Sequence, residues 1–374
     1  MVDSITLFLL LIVAFLATLI SARLGISVAI IEIVLGMALG NFFGISSVDH
    51  EWLLFLAGLG SVVLTFLAGA EIDPEAMKRT WKASLSIGTA SFLAPFLGAL
   101  LFSYFMLGWS WEASLLLGVA LSTTSVAVVY VVLVEAGKSK TETGKIILSS
   151  CFITDLGTAI ALSGLFITPN YLIVVLIAAI IVTTFLVPKF LKWMLERLKG
   201  RGGEPSVKLL MMMIVGVGVS AEVAGVHAVL PAYIFGLVVA NVLNDNKEVL
   251  LKTRTLAMSF LTPFFFINAG INISLEYVVA GSALILILFI VKVAFKFVGV
   301  YPLTRMLVGR NSMYMTLLMS TGLTFGTISA QYGLSSGIID KMQFSVIAMV
   351  VILTAIIPTI IAEKWFSPRG EEDG

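Results

Sequence analysis

Residues 112–136 read EASLLLGVALSTTSVAVVYVVLVEA, with Ser122-Thr123-Thr124-Ser125 set between two apolar stretches. The segment is long enough to cross a bilayer, which takes roughly 20 mostly apolar residues. Four successive hydroxyls at its middle are unusual there. Ser and Thr side chains offer the backbone hydrogen bonds that compete with the helical ladder. A spanning helix tolerates a break only where the freed groups face protein or a polar cavity. The same run is also compatible with ordinary back-bonding inside an unbroken helix. Which of the two holds decides between a plain helical bundle and a fold with interrupted helices.

The rest of the chain agrees with a membrane setting. Of 374 residues, 59% are hydrophobic and 12% charged, and the mean hydropathy is +1.08. Soluble domains carry about 25% charged residues, so a soluble enzyme is excluded. A net charge of +1 gives no reason to expect a nucleic-acid partner. One cysteine, Cys151, excludes a disulfide framework, and His50 and His227 are too few for a histidine metal centre. The long first apolar segment lacks a basic leader, so no cleavable signal is expected.

Thirteen spans are predicted: 4–22, 27–44, 52–71, 82–106, 112–136, 143–166, 170–197, 206–224, 228–243, 255–270, 278–300, 312–332 and 340–364. Cytoplasmic loops are enriched in Lys and Arg. With the N-terminus outside and the C-terminus cytoplasmic, 20 of the 23 basic residues fall inside, Lys341 alone falls outside, and Lys292 and Lys296 lie within a span. The short connections leave no room for a soluble domain, so a single transmembrane domain over 1–374 is expected.

Two pairs of spans repeat at an offset of seven. Ala68-Gly69-Ala70-Glu71-Ile72-Asp73 is echoed by Ala269-Gly270-Ile271-Asn272-Ile273-Ser274, and Ser122-Thr123-Thr124-Ser125 by Ser320-Thr321-Gly322-Leu323-Thr324. An odd offset turns the copies over, which predicts two inverted six-helix repeats joined by a connector at 170–197. Such repeats build secondary transporters that hold their cargo near the midplane.

Ionisable groups deep in a span are costly and usually functional. Asp155 lies about ten residues, or roughly 15 Å, into its span, and reads as a carboxylate for a proton or a cation. Lys292 lies about 10 Å from the cytoplasmic face by the same rise and reads as its charge partner. Lys296, closer to the predicted helix end, is expected to snorkel to the interface. Glu32 is expected at the membrane interface or in a subunit contact. Thr123, Thr124, Ser125 and Thr154 offer neutral oxygens beside Asp155. Ser320, Thr321 and Gly322 would break the twelfth span, and Glu71 would line an inner funnel. No nucleophile–base set and no phosphate loop is visible, so neither an enzyme nor a cofactor is expected.

These motifs together resemble the cation:proton antiporter-2 family, in its sodium/proton exchanger type. Ser122-Thr123-Thr124-Ser125-Val126 followed by Glu135-Ala136-Gly137 is similar to its unwound fifth helix. Thr154-Asp155 is similar to its essential Asp helix, and Val291-Lys292 to its lysine helix. Pro263-Phe264-Phe265-Phe266 through Asn272 and Glu71-Ile72-Asp73-Pro74 resemble two of its helix ends. The resemblance implies an all-α sodium/proton antiporter fold with two crossing broken helices. It implies scaffold and dimer helices at about 4–71 and 206–270, core helices at about 82–166 and 278–364, a homodimer in the cell membrane, and elevator-type transport. The function it implies is exchange of Na⁺, with Li⁺ as a further cargo, for H⁺ at Asp155. A K⁺/H⁺ antiporter is the nearest alternative; a gated cation channel or a non-transporting sensor is the next. Electrogenic members have two adjacent acids where this chain has Thr154-Asp155, so electroneutral exchange is expected. The nucleotide-binding tail of related potassium-efflux members is absent, which argues against nucleotide or glutathione gating.

Overall fold

The computed structural model describes residues 2–24, 27–46, 50–70, 74–135, 138, 141–165, 171–198, 202–224 and 228–366. All of its regular structure there is helical. In chain order the helices are α1 Val2–Leu24, α2 Val28–Phe42, α3 Glu51–Ala70, α4 Pro74–Met106, α5 Trp111–Ser122, α6 Val126–Glu135, α7 Glu142–Leu165, α8 Tyr171–Leu198, α9 Pro205–Val223, α10 Val229–Asp245, α11 Lys247–Leu256, α12 Thr262–Ile271, α13 Leu275–Ala280, α14 Ser282–Leu307, α15 Ser312–Met319, α16 Thr324–Ser335 and α17 Lys341–Ile361.

Among the described residues, eight helices are long and apolar enough to cross a membrane. The sequence predicts thirteen spans, and the lower count has local causes. Segments 112–136 and 312–332 are each split into two half-helices, α5–α6 and α15–α16. Helix α2 has 15 residues and α10 has 17, short of the length that spans alone. Predicted span 170–197 forms the 28-residue α8, and 255–270 is one of the eight, as the end of a longer helix from Lys247 to Ile271. A π-turn at Ala257–Leu261 precedes Pro263 within it. Proline supplies no backbone N–H and its ring crowds the preceding turn, which accounts for a widened turn at that point.

Helix starts are capped where the sequence provides for it. Ser110 accepts from Ala113 N at 3.1 Å ahead of α5, and Asp340 with Gln343 forms a capping box at α17.

Two packed groups form around small residues. In the first, α12 lies on α2 and α3, and α10 lies on α3. Backbones touch there: a Cβ at Gly36, Gly40 or Gly270 would collide with the main chain across the α2–α12 contact. Gly69 and Gly236 are under the same constraint between α3 and α10. Close backbone approach through small residues is the usual device for helices that lack water to drive them together. Glu32 is buried in this group, at 3% exposure on α2, and not at the interface expected for it. In the second group, α4 is the central post, with α5, α7 and α14 against it, while α16 packs on α5 and α17 on α14. The two groups meet in one apolar cluster that includes Ile33, Leu64, Tyr233 and Phe265 from the first and Leu116, Phe152, Phe325 and Val351 from the second.

Candidate ion site at two helix breaks

Helix α5 stops at Ser122, and Thr123 is extended at φ −61°, ψ 153°. Helix α6 restarts at Val126, its first turn closed by Val128 N on Ser125 Oγ at 3.4 Å. Helix α15 stops at Met319, and Leu323 at φ −144°, ψ −73° precedes α16. The two breaks touch. Thr124 Oγ1 donates to Met319 O at 3.0 Å, and Ser125 N donates to Thr321 Oγ1 at 3.4 Å. Gly322 is required here, because a Cβ would run into Lys292 Nζ and stand 2.7 Å from Thr123 Oγ1.

The hydroxyls do both of the things expected of them. Ser122, Thr123, Ser320 and Thr321 each donate back to a carbonyl three or four residues earlier, at 2.8 to 3.1 Å. Their protons are thus committed, and their oxygen lone pairs remain. Back-bonding and helix breaking coexist.

Lys296 is the largest correction to the sequence reading. It does not snorkel. It is fully buried on α14 and donates to Ser91 Oγ at 2.7 Å, Ser122 O at 2.9 Å and Thr124 Oγ1 at 2.9 Å. An ammonium has three donors, and all three are used. Ser122 O is a last-turn carbonyl of α5, and Met319 O, reached through Thr124, is a last-turn carbonyl of α15. Both are orphan acceptors at negative helix ends. One cation therefore compensates both half-helices.

Lys292, one turn earlier, is also fully buried. It donates to Thr354 Oγ1 of α17 at 3.0 Å and sits against Gly322. The sequence reading paired it with Asp155; its partner is Thr354. Among the described residues, no ion pair joins Asp155 to either lysine.

Asp155 is 2% exposed, and its Oδ1 has no hydrogen-bond partner among the described residues. An ionised carboxylate left so in a dry interior is untenable unless a proton or a cation joins it. Thr154, beside it, faces α4: its hydroxyl lies 3.0 Å from Ser150 O and 3.2 Å from Gly88 O. Cys151, one turn before Asp155, contacts Met319 through sulfur at 3.6 Å. Glu71 lies outside the described residues. Three partners have no forewarning in the sequence reading: Ser91 and Thr354, which hold the lysines, and Tyr233, whose hydroxyl donates to Phe152 O at 3.1 Å. Each is a polar residue in a span, the one signal that singles them out.

A buried carboxylate with an unpartnered oxygen and two touching helix breaks lined by hydroxyls are a candidate site for one small cation or one proton. The profile of the family described as "Sodium/hydrogen exchanger, transmembrane" matches residues 10–366. The chain is 31% identical over 354 residues to "Probable Na(+)/H(+) antiporter 3" of Methanocaldococcus jannaschii, covering 88% of both chains. It is 25% identical to "Na(+)/H(+)-K(+) antiporter GerN" of Bacillus cereus, covering 93% of this chain and 92% of that one. Its fold matches the solved structure of the sodium proton antiporter MjNhaP1 from Methanocaldococcus jannaschii with a TM-score of 0.70 over 96% of each chain, at 16% identity. With a family profile spanning nearly its whole length, the chain belongs to the transmembrane sodium/hydrogen exchanger family.

Proposed function

We propose that the protein is a secondary transporter that exchanges Na⁺, or Li⁺, for H⁺ through Asp155. The observation that carries this reading is the buried Asp155 Oδ1, unpartnered among the described residues, on the helix whose Cys151 meets the second break at Met319. Na⁺ binding needs the carboxylate charged, and protonation neutralises it. The two cargoes compete for one group, so exchange follows without a separate coupling device. The hydroxyls of the breaks carry oxygen lone pairs, and Thr124 and Ser125 are the neutral ligands in this reading. Lys296 keeps its charge through the cycle, because its three acceptors suit an ammonium. One charge is then swapped for one, and exchange is electroneutral.

Alternating access is elevator-like in this reading. The scaffold comprises about 4–71 and 206–270, the moving core about 82–166 and 278–364, and 170–197 connects them. The two interruptions at matching places support the inverted repeat, and the glycine-packed first group suits a rigid scaffold. The protein acts as a homodimer in the cell membrane, N-terminus outside.

Proton flux in proteoliposomes tests the reading, using a pH-sensitive dye and Na⁺, Li⁺ or K⁺ pulses across pH. Asp155→Asn abolishes Na⁺-driven flux, because an amide cannot shed a proton. Residual flux above empty liposomes would sink the assignment. Raising the pH lowers the apparent KM for Na⁺ in the wild type, since fewer protons compete. An apparent KM constant between about 6 and 9, a range that spans ordinary shifts of a carboxylate, contradicts a shared site.

A further inference from the structure

We infer that Tyr233 is a positioning residue for this exchange, a hydroxyl latch that holds the carboxylate helix α7 in one register against the scaffold. The inference rests on the exchange reading above. It adds a residue that neither the sequence motifs nor the ion site requires.

Tyr233 is the fifth residue of α10 and is fully buried. Its backbone cannot shift freely, because Gly69 of α3 packs against the Tyr233 carbonyl. The ring stands edge-on to Phe325, centroids 6.0 Å apart at 75°. Phe325 belongs to the first turn of α16, directly after the second break. The hydroxyl donates to Phe152 O, a main-chain carbonyl three residues before Asp155. One side chain thus spans from the scaffold to the carboxylate helix and to the half-helix beyond the second break.

The surroundings give that bond its weight. The cluster joining the two groups is apolar, and apolar surfaces slide past one another with little directional preference. A buried phenol must find an acceptor, so its hydroxyl marks discrete positions along α7. Displacing the core breaks the bond to Phe152 O. A helix presents its next carbonyls on that face about one turn away, roughly 5.4 Å along the axis. Between the two the hydroxyl is unsatisfied. The latch therefore stabilises the conformation seen here and sets part of the barrier to leaving it.

Tyr233→Phe keeps the ring and removes the hydroxyl. The measurement is the apparent KM for Na⁺ from each face, in right-side-out and everted vesicles. If the latch holds one state, its loss moves the two values in opposite directions. Their ratio changes about 5- to 10-fold, the size of one buried hydrogen bond. Phe325→Leu, which keeps the hydroxyl and loses the ring contact, leaves the ratio within about twofold. An unchanged ratio in Tyr233→Phe overturns the latch. So does an equal shift on both faces, or a Phe325→Leu effect as large as that of Tyr233→Phe. Wild-type vesicles without Na⁺-driven proton flux would refute the exchange reading instead, so the two failures are distinct. If Tyr233→Phe vesicles give too little flux to fit, amide exchange on the purified protein reads the same bond. Peptides covering 150–160 lose protection relative to those of α3 if the latch exists, and unchanged protection overturns it.

Discussion

The two buried lysines stand one turn apart on the same face of α14 and live differently. Lys296 has three acceptors from three places: α4, the end of α5, and the first break. Lys292 has Thr354 and the open backbone of Gly322. The first is built into the contact between the two breaks, where its donors meet acceptors freed from the helical ladder. The second fills space at the other break and makes one hydrogen bond among the described residues, to Thr354. Burial alone does not distinguish them, since both are fully buried. The number of acceptors does, because an ammonium is tolerated out of water only when its donors are met.

That contrast predicts a large difference between two parallel substitutions. Lys296→Met keeps most of the volume but strands Ser122 O and Thr124 Oγ1 and removes a buried charge. Breaking a buried charged network costs about 3 kcal/mol or more, and exchange should fall at least about 100-fold, since 1.4 kcal/mol is tenfold. Lys292→Met leaves the first break intact and should keep exchange within about tenfold of wild type by the same conversion. Flux assays with thermal stability in detergent check both. Equal losses in the two variants would erase the distinction.

Gly322→Ala is the next largest effect. The added methyl meets Lys292 Nζ and Thr123 Oγ1, so one of the two breaks must shift. Overpacking of this kind costs about 1–3 kcal/mol. The double variant Gly322→Ala, Lys292→Ala frees the space and should recover much of that loss. Additive losses would mean that Lys292 is not what the methyl meets.

A smaller effect belongs to Thr124→Ala. Its hydroxyl links Lys296 to Met319 O and, in the exchange reading, supplies a neutral oxygen to the cation. Losing one buried hydrogen bond of this sort costs about 1 kcal/mol. The apparent KM for Na⁺ should rise about fivefold with maximal rate little changed. A fall in maximal rate alone would assign the hydroxyl to the motion and not to cargo binding.

How much of this was legible without coordinates differs from residue to residue. Asp155, Lys292 and both broken segments stand out because a charge or a hydroxyl run inside an apolar span has few innocent explanations. Lys296 was misread for a definable reason. The predicted span ends at 300, before Pro302, which places Lys296 near an interface. Helix α14 in fact runs through Pro302 to Leu307, so Lys296 lies well inside it. Which of the two lysines meets the first broken helix is not legible either. Residues four apart on a helix share a face, and sequence gives no hint of which one a distant helix meets. Ser91, Thr354 and Tyr233 are hidden by their ordinariness, because a hydroxyl in a helix usually bonds its own backbone. The π-turn before Pro263 was written in the proline, but the length of the helix preceding it was not.

The smallest and sharpest test removes one acceptor from each lysine. Ser91→Ala takes one of three from Lys296, and Thr354→Val takes the one from Lys292. If burial alone governed the cost, the two would match, since both hydroxyls are buried. The hydrogen-bond argument predicts otherwise. Lys296 retains Ser122 O and Thr124 Oγ1, so losing Ser91 costs about 0.5–1 kcal/mol, the ordinary net worth of one hydrogen bond. Lys292 is left with no side-chain acceptor, and an orphaned buried donor costs about 1–3 kcal/mol. Val is close to Thr in volume, so packing contributes little to the second value. Thermal unfolding of the purified variants in one detergent measures the difference, and Thr354→Val should unfold at the lower temperature. The order should reverse on the Lys292→Met background, where Thr354→Val has no amine left to strand and becomes nearly neutral. A Thr354→Val cost that survives on that background would show that Thr354 serves α17 itself, through its bond to Val351 O at 2.9 Å, and that Lys292 does not depend on it.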